Sequence, residues 1–465
     1  MSERGQGTWM LRVSGEHSRA LLAEEAAGGE ALGFVEQHAP WARLALDSPF
    51  EVLGRIDPLD LAQAGWGVVF AQNADPRVRA ALRPLLAHRR AQAGKLFREF
   101  SGADGYREGD TKFDFQGRAE VAPGPVDPRR VPYYLLLVGS GDEIPFSFQC
   151  QLGLQYAVGR VAFDTPEQYG RYAQAVLDVE SGRVQRPRRA VVFGPRNPGD
   201  EIGAAVHDRL SEPLSRVMRQ EPGWEVDRIL ASKATRARLL ELLGGPAPAL
   251  LFTAGHGVLM TRDDEEQETL QGAWVCQDWD KGREPGPSYD HIVTAADVPA
   301  TDRRGQVVFS LACFSGGTPQ WDGFVGLNRR RAKQLAPRDF VAALPRRLLS
   351  QEAGPALAMV GHVDAAVEQG FMWLREGDQP TAYIDAVQRL MAGEPVGRAM
   401  QPFGQRYAEL SADLHDQQRL KGLGLPYDEA LLARLWQAVR DAVGWVVLGD
   451  PAVRLGVEPD APAAA

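Results

Sequence analysis

From Tyr133 onward the chain alternates short apolar runs with longer amphipathic stretches. The runs Tyr133–Val138, Tyr156–Phe163, Ala190–Phe193 and Ala356–Val360 are nearly continuous in hydrophobic residues, as are those leading from Leu250 to His256 and from Val307 to Cys313, and a further strand is read near Trp224–Leu230. Such runs read as strands buried on both faces. Between them, apolar spacing predicts helices from Pro166 to about Glu180, near Asp200–Arg219, over Ser232–Leu243, near Pro337–Ser350, near Thr381–Met391 and near Tyr427–Val443. The first has start signals: Thr165 as cap, Pro166 in the first position and Glu167 in the first turn. The chain closes with Trp445–Leu448, Gly449-Asp450-Pro451 and Val453–Leu455. Strands alternating with helices of this length predict an α/β fold with a mostly parallel sheet covered on both faces.

Residues 1–125 read as an N-terminal accessory region, partly helical, with a helix over Arg77–Phe100. The polar Ser101–Gly117 and the Pro-rich Val121–Pro132 then read as loop or linker. The α/β region spans 126–457: a first part at 126–230, a part carrying the histidine and cysteine at 231–375, and a helical part with closing strands at 376–457. The Pro/Ala-rich tail, 458–465, is expected to be disordered.

Two of the apolar runs stop at reactive side chains. One ends in Gly255-His256-Gly257 and the other in Ala312-Cys313-Phe314-Ser315-Gly316-Gly317. In an open parallel sheet, ligands lie outside the carboxyl ends of the strands. Two such ends place an imidazole and a thiol at one rim, which is what a cysteine nucleophile with a histidine acid/base requires. A cysteine ending a core strand is also a common small hydrophobe, so both readings stand for Cys313. His362 ends a further run and either lines the site or makes a structural hydrogen bond. Asp278 and Asp280 follow the short apolar segment at Trp274 and are the carboxylates placed to reach a pocket. The acidic run Asp263–Glu268 is either a solvated loop or a rim favouring basic substrates.

Composition narrows the choice. The 465 residues are 44% hydrophobic and 24% charged, ordinary for a globular protein of one large core or several domains. A net charge of −9 gives no reason to expect nucleic acid as the main partner. No apolar stretch is long enough to span a membrane, and Met1–Gly5 does not open a signal peptide, so a cytoplasmic protein is expected. Cys150, Cys276 and Cys313 form no Cys-x-x-Cys pair, and no Cys/His cluster has zinc-ligand spacing. No phosphate-cradling glycine motif follows a strand. Neither a metal nor an organic cofactor is expected.

These residues resemble the caspase-like cysteine peptidases, which include caspases, gingipains and bacterial CHAT-domain proteases. The strand ending in His256-Gly257 is similar to the family's histidine motif, and Ala312-Cys313-Phe314-Ser315-Gly316 to its nucleophile motif. Tyr133–Phe146 looks like the strand opening the gingipain catalytic region, and Tyr156–Arg160 like the next strand. Gly354–Asp364 and Val447–Leu455 are similar to the strand after the cysteine and to the Leu-Gly-Asp-Pro segment that closes such domains. The resemblance covers roughly residues 130–457. It implies a caspase-like three-layer sandwich in which Cys313 attacks a scissile carbonyl and His256 handles the proton. It also implies an oxyanion hole from the N–H groups of Gly257 and Cys313, and it points to Glu143 as the acid orienting the histidine.

The expected function is a cysteine endopeptidase acting on protein substrates through a thioester. Asp278 and Asp280 tilt its P1 preference toward Arg or Lys. Bacterial relatives imply an effector of antiviral defence, a zymogen switched on by an upstream protease or sensor, with Ser101–Pro132 and Asp263–Glu268 as exposed cleavage segments. The alternatives are a catalytically inactive caspase-like binding module and a thiol-dependent hydrolase of small molecules.

Overall fold

Apolar runs along the chain become the strands of one central sheet of ten. A computed structural model describes residues 10–11, 56–323, 333–373 and 377–458. In chain order the strands are β1 (Trp66–Phe70), β2 (Phe97–Phe100), β3 (Tyr134–Val138), β4 (Ala157–Val161), β5 (Arg189–Gly194), β6 (Glu225–Leu230), β7 (Leu250–Ala254), β8 (Val307–Leu311), β9 (Ala358–His362) and β10 (Trp445–Gly449). Their order across the sheet is β2-β1-β3-β4-β10-β9-β8-β7-β5-β6. Every pairing is parallel except β10 with β9. The sheet is therefore two parallel halves that run in opposite directions and meet at one antiparallel seam.

The period-2 geometry of strands explains why these runs are apolar throughout. Leu250 and Phe252 of β7, Val307 and Phe309 of β8, and Ala358 and Val360 of β9 join one core cluster. Leu251, Val308 and Met359, the residues between them, join another on the opposite face. That second face is closed by α4 (Arg236–Gly244), through Leu239 and Leu243, and by α5 (Ala343–Ser350), through Leu344 and Leu348. The first face is closed in part by α3 (Pro166–Glu180) and α6 (Thr381–Met391), through Tyr172, Val176, Tyr383 and Val387. The Thr165 capping box and Pro166 start α3 where the sequence places it.

Residues 66–100 join the α/β body rather than standing apart from it. β1 and β2 lie within them and extend the sheet beyond β3, and Trp66 is fully buried. The expected helix Arg77–Phe100 is broken. Pro76–Ala81 is helical, α1 (Arg83–Ala93) restarts with Pro at its first turn, Gly94 ends it at φ 55°, and Phe97–Phe100 becomes β2.

A buried ion network fastens this region to the closing segment. Arg89 on α1 donates to Asp450 Oδ2 at 2.7 Å and to Glu180 Oε1 at 2.6 Å. Trp66 Nε1 donates to Asp450 Oδ1 at 3.0 Å, and Ala452 N donates to the same oxygen at 3.0 Å. Burial alone would raise the Glu180 carboxyl, but the Arg89 charge and the bonds from His88, Arg89 and Gln92 hold it at about 2. The Gly449-Asp450-Pro451 segment is thus a structural clasp.

Between β9 and β10 the chain forms a long helical hairpin, α7 (Gln401–Gly422) and α8 (Glu429–Val443). The sequence predicts α8 but not α7. The large apolar side chains that α7 buries, Phe403, Tyr407, Leu410 and Leu414, are few and lie among polar residues, so only packing on α8 reveals the helix. Asp200 caps a short helix at Glu201–Val206, and the predicted Asp200–Arg219 helix widens into a π turn over His207–Ser211 before resuming. No helix among the described residues is long and apolar enough to cross a membrane. The expected disordered tail lies outside the described residues except for Glu458.

Candidate active site

β7 and β8 are adjacent and parallel, with Ala254 opposite Leu311. The residues that follow them, His256-Gly257 and Cys313-Phe314, leave the sheet at the same rim. A Cβ at Gly257 would overlap the Cys313 carbonyl oxygen and fall 3.0 Å from its nitrogen. Only glycine lets these two backbones touch. Val275 N donates to His256 O and Val258 N to Ala273 O, which leaves Gly257 in a non-hydrogen-bonded bridge with Trp274. The Gly257 N–H therefore points away from Trp274. The two segments expected to form an oxyanion hole are thus in direct backbone contact.

His256 is 4% exposed, and its Nε2 lies 2.5 Å from Asp200 Oδ2. The same oxygen accepts from Gly203 N at 2.7 Å, and Oδ1 accepts from Lys281 Nζ at 3.2 Å. Burial works to raise the Asp200 carboxyl, but the hydrogen bond and charge of His256, then Gly203 N and Lys281, hold it well below the usual carboxylate range. A carboxylate at Nε2 keeps a proton there and leaves the lone pair on Nδ1. Nδ1 is buried and without a hydrogen-bond partner among the described residues. Trp279 meets the imidazole edge-on at 5.7 Å and 89°. Its loop is held by Asn197 Nδ2, which donates to the carbonyls of Cys276 at 2.7 Å and Trp279 at 3.0 Å.

The cysteine loop is fixed by its small residues. Ser315 Oγ donates to Ser310 O at 3.1 Å and accepts from His362 N at 3.1 Å. Gly316 packs against the backbone of Gly361. Phe314 has φ 58°, a strained value for a residue with a side chain. Cys313 is fully buried, and its Sγ donates to Ala366 O at 3.5 Å. The other cysteines do not join the site. Burial pushes the Cys150 thiol up to about 12 and raises that of Cys276 further still, so both stay protonated.

Several expected site residues lie elsewhere. Glu143 does not orient His256: its Oε2 accepts from Ser140 N at 2.8 Å and Ser140 Oγ at 2.9 Å. It follows β3, whose half of the sheet runs opposite to β7 and β8, so its strand ends at the other edge. Asp278 is exposed and accepts from Arg236 N at the start of α4, at 2.6 Å. Asp280 accepts from Gly282 N at 2.9 Å and pairs with Arg283 at 3.3 Å. Both carboxylates are thus bound to backbone N–H groups of neighbouring segments. His362 is buried with both ring nitrogens on carbonyl oxygens, Nδ1 at 3.2 Å from Asp364 O and Nε2 at 2.9 Å from Asp441 O.

Asp200, absent from the sequence expectation, carried one legible signal. It lies in the loop after β5, the strand beside β7, so that loop opens at the rim of His256. The strand order that brings them together is a tertiary fact. Among the described residues no group of His, Cys, Asp and Glu is arranged to hold a metal ion.

The site and sheet together define an α/β protein with a carboxylate-bound histidine and a cysteine at one sheet rim. No protein-family model and no curated protein matches the chain. Among solved structures, one described as a protease aligns at a TM-score of 0.47 and 14% identity, covering 85% of this chain and 80% of that one. The Arg-specific cysteine proteinase gingipain R aligns at 0.45 and 12%, covering 84% and 78%. A complex of the pro- and mature domains of the same proteinase from Porphyromonas gingivalis aligns at 0.45 and 12%, covering 84% and 80%.

Proposed function

We propose that this chain is a cysteine endopeptidase using Cys313 as nucleophile and His256 as acid/base, with Asp200 positioning the histidine. The observation that carries this reading is the Asp200–His256 bond. A buried carboxylate holds Nε2, so Nδ1 offers its lone pair at the rim where Cys313 ends the neighbouring strand.

In the proposed reaction the Cys313 proton moves to His256 Nδ1, and the thiolate sulfur bonds to the scissile carbonyl carbon. The carbonyl π electrons move onto oxygen, which the Gly257 and Cys313 N–H groups stabilise. As that oxyanion collapses the C–N bond breaks, and the imidazolium proton goes to the leaving nitrogen. Water, deprotonated by His256, then adds to the thioester carbon, and cleavage of the C–S bond returns the thiol. Asp200 stabilises the imidazolium without itself taking the proton.

A preference for Arg or Lys at P1 belongs to the proposal. The acidic run Asp263–Glu268, close after His256 in the chain, supports it. Switching by an upstream protease is supported by exposed segments such as that of Asp263, whose side chain is 87% exposed, and an effector role in bacterial defence belongs to the same proposal. A second reading, an inactive binding module, is favoured by the burial of Cys313 and its contact with Ala366.

The deciding experiment is cleavage of a P1-diverse fluorogenic peptide library by the full chain, before and after limited proteolysis, beside Cys313→Ala and His256→Ala. Cleavage abolished in both variants supports the peptidase. Absence of cleavage under both conditions supports the binding module.

A further inference from the structure

We propose that Val363–Val367 is an autoinhibitory strap that closes on Cys313 and is latched by Asp441 of the helical hairpin. This inference rests on the peptidase reading and names the regulation of that site.

The strap touches the nucleophile loop at successive points. Phe314 N donates to Asp364 O at 2.8 Å, Gly317 bridges Val363, and the Cys313 thiol donates to Ala366 O. The last contact does more than block access. A carbonyl oxygen facing sulfur bonds the thiol form and repels the thiolate. His256 Nε2 is held on Asp200, and the thiol's contact here is with the strap carbonyl of Ala366. The strap is itself strained at Asp364, a non-glycine residue at φ 94°.

What holds this strained segment is α8. Asp441 Oδ1 accepts from Val367 N at 3.0 Å, and Asp441 O faces His362 Nε2 while Asp364 O faces Nδ1 of the same ring. A Cβ at Gly370 would fall 2.6 Å from Asp441 Oδ2, so the chain leaving the strap is packed onto this carboxylate. Arg406 of α7 lies 3.9 Å from Asp441 and donates to Gln369 O. α8 therefore grips the strap and α7 the residues that follow it, and a shift of the hairpin is the motion that frees Cys313.

The test is the rate at which iodoacetamide alkylates each cysteine of the full chain, read by peptide mass spectrometry, with peptide cleavage followed in parallel. Val367→Pro removes the N–H that Asp441 holds, and Asp441→Ala removes its acceptor. In the native chain Cys313 is expected to react about 100-fold more slowly than in the urea-unfolded chain. Each variant is expected to speed Cys313 about tenfold, the order by which one lost hydrogen bond shifts a local opening, with Cys276 unchanged. Cys313 reacting at the unfolded rate in the native chain overturns the proposal. So does a folded variant with no acceleration, or one in which Cys276 accelerates in step. Should both variants fail to fold, hydrogen exchange of the native chain decides: the Phe314 and Val367 amides must exchange together and ahead of those of β8. Faster labelling without cleavage leaves the strap standing and sinks the peptidase reading alone.

Discussion

Asp200 Oδ2 lies 2.5 Å from His256 Nε2, and the same oxygen caps the helix that Asp200 begins. Asp200→Asn keeps a good helix cap but cannot serve Gly203 N, His256 and Lys281, all donors, with one oxygen and one amide. The variant is expected to fold normally and to lose about 100-fold or more in kcat with KM little changed, as for a misoriented general base. Steady-state kinetics with the best library peptide checks this, and Asp200→Glu is expected to recover part of the loss. An Asp200→Asn enzyme with unaltered kcat would show that the carboxylate serves the helix alone.

Gly257→Ala forces a methyl group into the Cys313 carbonyl oxygen. The two strand ends must separate, which misplaces the oxyanion donors. The expected result is loss of about 100-fold or more in kcat/KM, with a stability cost of about 1–3 kcal/mol from overpacking. Thermal unfolding beside kinetics separates the two effects, and wild-type activity in this variant would exclude the proposed oxyanion hole.

A chain beginning at residue 126 lacks β1, β2, Trp66 and Arg89. It exposes one edge of the apolar β3 and leaves Asp450 buried without its Arg partner, a loss of about 3–5 kcal/mol by itself. Insoluble or non-cooperative material is expected by circular dichroism. A sharp thermal transition close to that of the full chain would mean that the first 125 residues are dispensable after all.

Glu180 is held at about 2, against an ordinary value of 4.5, and is 20% exposed. A carboxyl depressed in the folded state stabilises the fold above its unfolded value and ceases to do so as pH falls through its folded value. The bonus is therefore full above about pH 4.5 and vanishes toward pH 2, and its size is about 3 kcal/mol at most. Glu180→Gln is expected to be less stable than wild type at pH 7 and to converge with it across that window. Denaturant midpoints measured from pH 7 to pH 2.5 check this, and a difference independent of pH would sink it.

Asp278→Ala removes the acceptor for Arg236 N at the start of α4. The cost is expected at about 1 kcal/mol, the size of a lost cap, with the P1 profile unchanged. A changed P1 profile would return Asp278 to the substrate pocket.

The apolar runs of β3 to β5 and β7 to β10 are legible in the sequence because both faces of the sheet are covered, which demands continuous hydrophobicity. β1 and β2 escape that reading because Arg-rich α1 lies between them, and its Arg89 is buried only by virtue of Asp450 and Glu180. α7 escapes because its apolar stripe is thin.

His256-Gly257 and Cys313, each ending an apolar run, are determined by sequence: an apolar strand stopping at a reactive residue and glycine is a local pattern. Their partners are not. Asp200 reaches His256 because β5 pairs with β7, and Glu143 misses it because β10 runs antiparallel to β9 and turns the other half of the sheet around. Ala366 meets Cys313 because α8, far along the chain, supplies Asp441 to hold the strap. Local sequence dictates which strands form and where they end. Which strand lies beside which, and in what direction, is a property of the whole sheet, and it alone decided what surrounds the thiol.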